Sequence, residues 1–197
     1  MSNQHLLAKS GESLDYEVIR KQLDFKIREE SIFSKNGHNS HMKLIQRVDN
    51  GKILGFSKDK TNMIPYTEIT DNVMTSFGFM GEHRVRACFL SQEGGKLRFL
   101  TEFPDYRLDI KDPLDDTNSG TFASLLVNTG YIGSGDTLFD AGALRMICVN
   151  GMVSLNSATH MISRNSEGVL VPSMVEKFKE SVDSIYGGMV KQITRMQ

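Results

Sequence analysis

The chain has 197 residues, of which 39% are hydrophobic, and this content is enough for one compact domain with a buried core. Its 23 Lys and Arg residues stand against 24 Asp and Glu residues, so the net charge of -1 excludes a general attraction to nucleic acid or anionic membranes. Any such binding needs a local basic surface. No apolar run approaches the roughly 18 residues of a membrane span, so we expect no membrane partner and a location in the cytoplasm.

The chain contains two cysteines, Cys88 and Cys148, without a CxxC spacing or a set of further pairs. This pattern favours free, buried thiols in a reducing compartment, such as the cytoplasm of a host cell. A disulfide between the two stays open as an alternative.

The N-terminal part is expected to begin with a flexible arm at residues 1–13, which are polar, and to continue as a single domain over residues 14–197. Behind the arm, Leu23, Phe25 and Ile27 alternate with charged residues. A two-residue period of this kind predicts a strand with one solvated face.

Two short-range signals follow. Residues 43–48 and 52–56 flank an Asn-Gly step, which predicts a β-hairpin because both residues tolerate positive φ. Residues 67–77 place their apolar side chains on one helical face, and this spacing predicts a short helix that ends at Gly78.

A second hairpin is predicted around Gly94 and Gly95, because apolar and charged residues alternate on both sides of them. A three-residue loop, with one Gly in the left-handed conformation, pairs Phe89 with Phe99 and collects the apolar residues on one face. A two-residue loop mixes charged and apolar partners on both faces, so we favour the three-residue loop.

The other face of this hairpin then carries a basic patch, made of Arg84, Arg86, Lys96 and Arg98. In the same register Glu102 lies opposite Arg86. The functional interpretation is contact with phosphate groups. The alternative is a solvated sheet face with cross-strand ion pairs.

Residues 105–119 are acidic, and we interpret them as a solvated loop. The aspartates in this segment are Asp105, Asp109, Asp112, Asp115 and Asp116. The segment lacks the acidic closing ligand of a calcium loop, so no metal is expected. The Gly-rich residues 128–135 are followed by no Gly-Lys-Ser/Thr, so they indicate a turn and not a phosphate loop.

Residues 136–154 join an acidic turn, an apolar run and an Asn-Gly turn. We expect residues 144–149 to form a buried strand at the centre of the sheet, which the chain leaves at residues 150–151. Arg145 interrupts the apolar run. It is either an anion contact, and is then counted among the DNA-binding residues, or part of an ion pair at the end of the sheet.

Residues from about 173 to 196 predict a long amphipathic helix that begins with a capping box from Ser173 to Glu176. Its apolar stripe consists of Val175, Phe178, Val182, Ile185, Met189 and Met196. Such a helix either closes the core or mediates self-association. The predicted fold class is therefore α+β, with a mainly antiparallel sheet built from hairpins and packed by a short helix and a long C-terminal helix.

Four segments carry a family resemblance. They are LDYEV at 14–18, VDNGKILG at 48–55, YTEITDNV at 66–73 and, most specifically, GALRMICVNGMV at 142–153. Over about residues 14–168 the chain resembles the uncharacterised plasmid and prophage family typified by YafZ, YfjQ and YubP. The resemblance implies the setting of a phage or plasmid, where DNA is often single-stranded, and implies no particular chemistry.

The leading functional hypothesis is a homo-oligomer of a mobile element that binds single-stranded DNA, with strand annealing as an extension. The proposed DNA contacts are Arg84, Arg86, Lys96, Arg98 and Arg145. The alternative is a non-catalytic protein that binds a host protein in counter-defence or host takeover. The third is a metal-dependent nuclease that uses the aspartates of residues 105–136. No catalytic motif is recognised, so a non-enzymatic role without catalytic residues, metal or cofactor is favoured.

Overall fold

The computed structural model of the chain describes residues 4–7, 13–76, 78, 81–91, 94–112, 115–131, 136–146 and 153–163. Within these residues the chain forms a six-stranded sheet, a three-stranded sheet and two α-helices. Apolar side chains from both sheets and both helices meet in one core.

The six-stranded sheet is antiparallel throughout and has the strand order β1-β5-β6-β7-β8-β9. Its strands are β1 Gln4–Leu7, β5 Arg84–Ser91, β6 Lys96–Asp112, β7 Asp115–Gly130, β8 Thr137–Met146 and β9 Val153–Ser163. Strands β5 to β9 follow chain order as a meander. Strand β1 lies inside the segment expected to form an arm, and its pairing with β5 gives these residues a defined position at the sheet edge.

Strands β6 and β7 form one long hairpin that is paired from Lys96 and Gly130 to Asp112 and Asp115. The prediction of a solvated loop over residues 105–119 is therefore wrong. The aspartates are interleaved with apolar residues in the run YRLDIKD at 106–112, which has the two-residue period of a strand. The density of acidic residues concealed this period.

Strand β8 lies between β7 and β9, one strand from the sheet edge. We expected a central strand over residues 144–149. The observed strand, β8, begins earlier, at Thr137, and is not central in the described sheet. Strand β9 pairs with β8 on its other side. Residues 147–152, including Cys148 and the expected turn at 150–151, lie outside the described part of the chain.

The three-stranded sheet consists of β2 Ile27–Phe33, β3 Asn39–Arg47 and β4 Ile53–Lys58, joined as an antiparallel meander. The predicted Asn-Gly hairpin is confirmed. Gly51 adopts a φ of 68°, and its amide donates to the Arg47 carbonyl at 3.0 Å. A positive φ at this position lets the chain reverse without splaying the strands.

Helix α2 spans Tyr66–Ser76 and confirms the short helix expected there. Helix α1 spans Tyr16–Leu23, where we expected no helix, and it ends at Leu23, the first residue of the strand predicted from the Leu23, Phe25, Ile27 alternation. That strand is wrong at its start, because β2 begins only at Ile27. Asp15 caps α1 by accepting from the amide of Glu17 at 2.9 Å, which satisfies one of the donors at the helix start.

The core lies between the two helices and one face of each sheet. Its buried residues with at most 1% exposure include Ile19, Ile45, Tyr66, Ile69, Val85, Leu97, Phe99, Phe103, Leu125 and Val127. These side chains come from α1, β3, α2 and strands β5 to β7. Since each element contributes its apolar stripe, the sheets and helices are held together mainly by the removal of these side chains from water.

The observed fold confirms an α+β protein with mainly antiparallel sheets and short helices. The long helix expected at about residues 173–196 lies outside the described residues, and the division into an arm and one domain stays a prediction. Neither α1 nor α2, the helices of the described part, is long and apolar enough to cross a membrane.

Candidate nucleic-acid interface

The turn between β5 and β6 is held by an aromatic cluster beneath it. The Tyr66 hydroxyl donates to the Gly94 carbonyl at 2.8 Å, and the rings of Tyr66 and Tyr131 stack with centroids 4.4 Å apart. Phe25 packs edge-on against both rings. The Arg47 guanidinium lies 3.9 Å from the centroid of the Phe25 ring and adds a cation–π contact.

Gly94 is required in this turn for two reasons. Its φ of 115° is a conformation that residues with a side chain rarely adopt. A Cβ atom at this position would also lie 2.7 Å from Cζ of Phe25. The turn is thereby pressed onto the aromatic cluster, and this contact positions the start of β6.

Lys96 and Arg98 follow this turn and are exposed. They lie on the face of the six-stranded sheet that points away from the core, because Leu97 and Phe99, which alternate with them along β6, are buried in the core. Phe89, which is half-buried, lies directly opposite Arg98 on β5. The hairpin therefore presents two cations and one aromatic ring on the same surface.

The predicted register of this hairpin is wrong by one residue. Phe99 lies opposite Cys88 and not opposite Phe89. A β-bulge between Val85 and Ala87 inserts one extra residue, so the side chains beyond it change face. Val85 stays in the core, whereas Ala87 and Phe89 move to the basic face. The last pair of the described ladder is Ser91 with Lys96, so four residues separate the two strands where three were expected.

Arg84 is partly exposed and forms an ion pair with Glu82, with Nε 2.8 Å from Oε1. The hydrogen bond from Arg84 lowers the pKa of Glu82. This arrangement corresponds to the ion-paired alternative for the basic patch. Arg84 can still meet an anion, but only in competition with Glu82.

Arg86 is 2% exposed and forms an ion pair with Glu102, with Nε 3.2 Å from Oε2. Burial raises the pKa of Glu102, and the positive charge of Arg86 opposes this effect. A buried guanidinium beside a carboxylate cannot reach a phosphate group in solvent. The structure therefore places Arg86 in a buried ion pair with Glu102, which is the ion-paired alternative for the basic patch, and not among the exposed cations of this hairpin.

Arg145 lies near the end of β8, opposite Thr121 of β7 and Ser154 of β9. Its side chain is outside the described part of the structure. The described sheet places its backbone three strands away from β5, with β6 and β7 between β8 and β5. Of the five predicted contacts, the hairpin thus brings Lys96 and Arg98 together as exposed cations. Arg84 begins the neighbouring strand and pairs with Glu82 just before it.

Two further side chains of this strand pair, Cys88 and Asp105, carry groups that could be reactive. Cys88 is a free, buried thiol, and its burial raises the pKa to about 12, so it is a poor nucleophile at neutral pH. Asp105 accepts a hydrogen bond from the amide of Glu82 at 3.3 Å. Among the described residues, no group of three or more His, Cys, Asp or Glu side chains is arranged to hold a metal ion.

Sequence reasoning missed Phe89 as a member of the basic face. Strict alternation assigned it to the core with Val85, and only the bulge separates the two.

No family model, curated protein or solved structure matches this chain. The class of the protein is therefore defined by its fold and its surface. It is an antiparallel α+β protein that carries a small basic and aromatic surface on the outer side of its larger sheet.

Proposed function

We propose that this protein binds single-stranded DNA as a homo-oligomer and serves a phage or plasmid. The observation that carries the proposal is the position of Lys96 and Arg98, both exposed, on the same face as Phe89. Cations on a sheet neutralise the phosphate backbone, and an aromatic ring on the neighbouring strand offers a stacking partner for an unpaired base.

Self-association is part of this proposal because the binding surface of one protomer is small. Two exposed cations with one half-buried ring form a small contact, and the chain as a whole has a net charge of -1. A single protomer would therefore bind weakly. Several protomers on one strand gain affinity because each further contact is made at a high effective concentration.

The long C-terminal helix proposed for residues 173–196 would supply the contact between protomers. Its apolar stripe has the spacing of a helix that packs against a partner. An oligomer that holds several stretches of DNA in an extended form could also bring complementary strands together, which is the basis for annealing. The resemblance to plasmid and prophage proteins supports this setting.

The test is binding of the full chain to a fluorescently labelled oligothymidylate, followed by fluorescence anisotropy at low and at physiological salt. We expect binding at low salt that weakens as salt rises. The double variant Lys96→Glu, Arg98→Glu should bind the oligonucleotide about tenfold more weakly or worse, because repulsion replaces two phosphate contacts. A matched comparison uses single variants. Arg98→Glu reverses one charge on the hairpin, and its control, Lys21→Glu, reverses one exposed charge on α1.

Absence of binding at low salt would contradict the proposal and would favour the host-protein hypothesis. Equal binding by the Arg98→Glu and Lys21→Glu variants would also contradict it, because the hairpin face would then not be the contact surface. Solution mass measured with and without the oligonucleotide tests the oligomeric part independently.

A further inference from the structure

The charge of the chain is distributed unevenly, and the three-stranded sheet carries its basic part. Residues 25–63, which contain this sheet, include eight Lys or Arg residues and four Asp or Glu residues, whereas the complete chain has a net charge of -1. The eight are Lys26, Arg28, Lys35, Lys43, Arg47, Lys52, Lys58 and Lys60. A local excess of this size attracts polyanions although the whole protein does not.

Several of these cations are engaged inside the sheet. Lys43 is buried, with Nζ 2.5 Å from Oε2 of Glu29, and Arg47 pairs with Asp49. Lys35, Lys58 and Lys60 are exposed, and within the described part of the chain no ion pair of theirs is found.

The exposed cations lie together at one end of the sheet. Strand β4 ends at Lys58 and Lys60 follows in the next turn, at the same end of the sheet as the β2–β3 loop that contains Lys35. The amide of Asp59 donates to the His41 carbonyl at 3.1 Å, which fixes this turn against β3. Asp59 is the one acidic residue among residues 34–41 and 58–60, so three lysines stand there against one carboxylate.

The outer face of the same sheet carries exposed apolar side chains on β4, beside the exposed ion pair of Arg28 and Glu30 on β2. Phe56 is 49% exposed and lies opposite Leu44, and Ile53 is 57% exposed and lies opposite Gln46. Lys58 is two residues after Phe56 and therefore shares its face. An exposed aromatic ring thus stands next to a cation on an open, twisted sheet surface.

We propose that this outer face, with Phe56 as the stacking residue and Lys58, Lys60 and Lys35 as phosphate contacts, is a second binding surface for single-stranded nucleic acid. It rests on the single-stranded DNA binding proposed above and adds a second surface, distinct from the β5–β6 hairpin. Charge complementarity selects the occupant, because an apolar face rimmed by lysines fits a strand that has both bases and phosphates to offer.

A duplex is a poorer partner for this surface. Its base faces are stacked on one another, and it presents phosphates and base edges only. Contact with a duplex would leave Phe56 and Ile53 without a partner, whereas unpaired bases can lie flat against them. The inferred specificity is therefore for unpaired over paired strands.

The chain contains no tryptophan, which makes a direct test possible. A Phe56→Trp variant of the full chain carries one tryptophan on the proposed surface. Stacking of a base on it should quench and shift its emission when oligothymidylate is added at low salt. Val18→Trp is the matched control, because Val18 is also 49% exposed but lies on α1, and its emission should not change.

Anisotropy with the labelled oligonucleotide completes the test. Phe56→Ala should weaken binding about fivefold or more, since a base–aromatic stack is lost, while Val18→Ala should leave it unchanged. Lys58→Glu should weaken it further than Lys21→Glu. Circular dichroism and melting temperature of each variant verify that it is folded.

The outcomes separate this inference from the proposed function. If the wild type binds the oligonucleotide but the Phe56→Trp emission stays constant, the second surface is refuted and the hairpin surface stands. If the wild type does not bind at all, both fail. If the Phe56→Trp emission changes with protein concentration alone, the face is a contact between copies of this chain and the inference is overturned.

Discussion

Nε of Arg86 lies 3.2 Å from Oε2 of Glu102 on the neighbouring strand, and the two side chains are 3% and 4% exposed. A charge pair this deep is costly to break, because the remaining charge stays buried without its counterion. Glu102→Leu should therefore lower the free energy of unfolding by about 3–5 kcal/mol. Urea denaturation of the wild type and the variant measures the difference.

The control for this prediction is the double variant Arg86→Met with Glu102→Leu. It removes both charges and replaces them with apolar groups of similar size, and such replacements are often neutral or stabilising. We expect it to be clearly more stable than Glu102→Leu alone. A double variant as unstable as the single one would show that the ion pair is not the source of the loss.

The same pair predicts a pH dependence. Burial raises the pKa of Glu102 in the folded state. The folded protein therefore keeps the Glu102 carboxyl protonated to a higher pH than the unfolded chain, in which a glutamate has a pKa of about 4.3. The free energy of unfolding should therefore fall as pH rises from there through the raised pKa. Urea melts across this range should show the decline in the wild type, and a smaller decline in the Arg86→Met, Glu102→Leu double variant.

Tyr16 joins α1 to α2. Its hydroxyl donates to Oδ1 of Asp71 at 2.6 Å, and Nε of Arg20 donates to the same oxygen at 2.8 Å. Tyr16→Phe should lower the free energy of unfolding by about 1–2 kcal/mol, as expected for a hydrogen bond to a charged acceptor. Val18→Ala on the same helix is the control, since Val18 is half exposed and should have little effect.

Asp71 should give a pH dependence of the opposite sign. The hydrogen bond from Arg20 is the largest influence that lowers the pKa of Asp71, with a further contribution from Tyr16. The stabilising effect of the Asp71 carboxylate is therefore complete above a pH of about 3.9, which is the pKa of an unfolded aspartate. It is lost as pH falls through the lowered pKa of Asp71 in the folded protein. Stability of the wild type should decline in this acidic range more than that of Asp71→Asn. Equal acid sensitivity of the two proteins would contradict the role of this carboxylate.

Gly94 and Gly37 allow strain to be separated from steric contact. Both have positive φ, 115° and 80°, so alanine costs about 1–2 kcal/mol of backbone strain at either one. A Cβ atom at Gly37 has no neighbour within 4 Å, whereas at Gly94 it would meet the Phe25 ring at 2.7 Å. Gly94→Ala should therefore be distinctly more destabilising than Gly37→Ala in urea denaturation. Equal losses would show that the Phe25 contact relaxes without cost.

Local patterns in the sequence determined the hairpins and one helix. The Asn50-Gly51 step placed the β3–β4 turn, and helical spacing placed α2, because both signals depend on neighbouring residues alone. The alternation on both sides of Gly94 likewise determined that β5 and β6 pair. Lys96 and Arg98 could be assigned to the solvated face for the same reason, since strand geometry puts Leu97 and Phe99 on the other.

Only the tertiary structure decided the register of that hairpin and the fate of Arg86. A bulge inserts one residue into a strand and so shifts the alternation of its faces. Its position depends on how β5 packs against the core, and the local sequence pattern does not show this packing. The tertiary structure also decided that residues 16–23 form a helix, because its buried residues Ile19 and Leu23 pack into a core built from distant strands. The net charge concealed the basic character of the small sheet, since its excess is cancelled by acidic residues elsewhere. Lys58 and Lys60 follow Phe56 in the sequence, and only the fold brings Lys35 to the same end of the sheet.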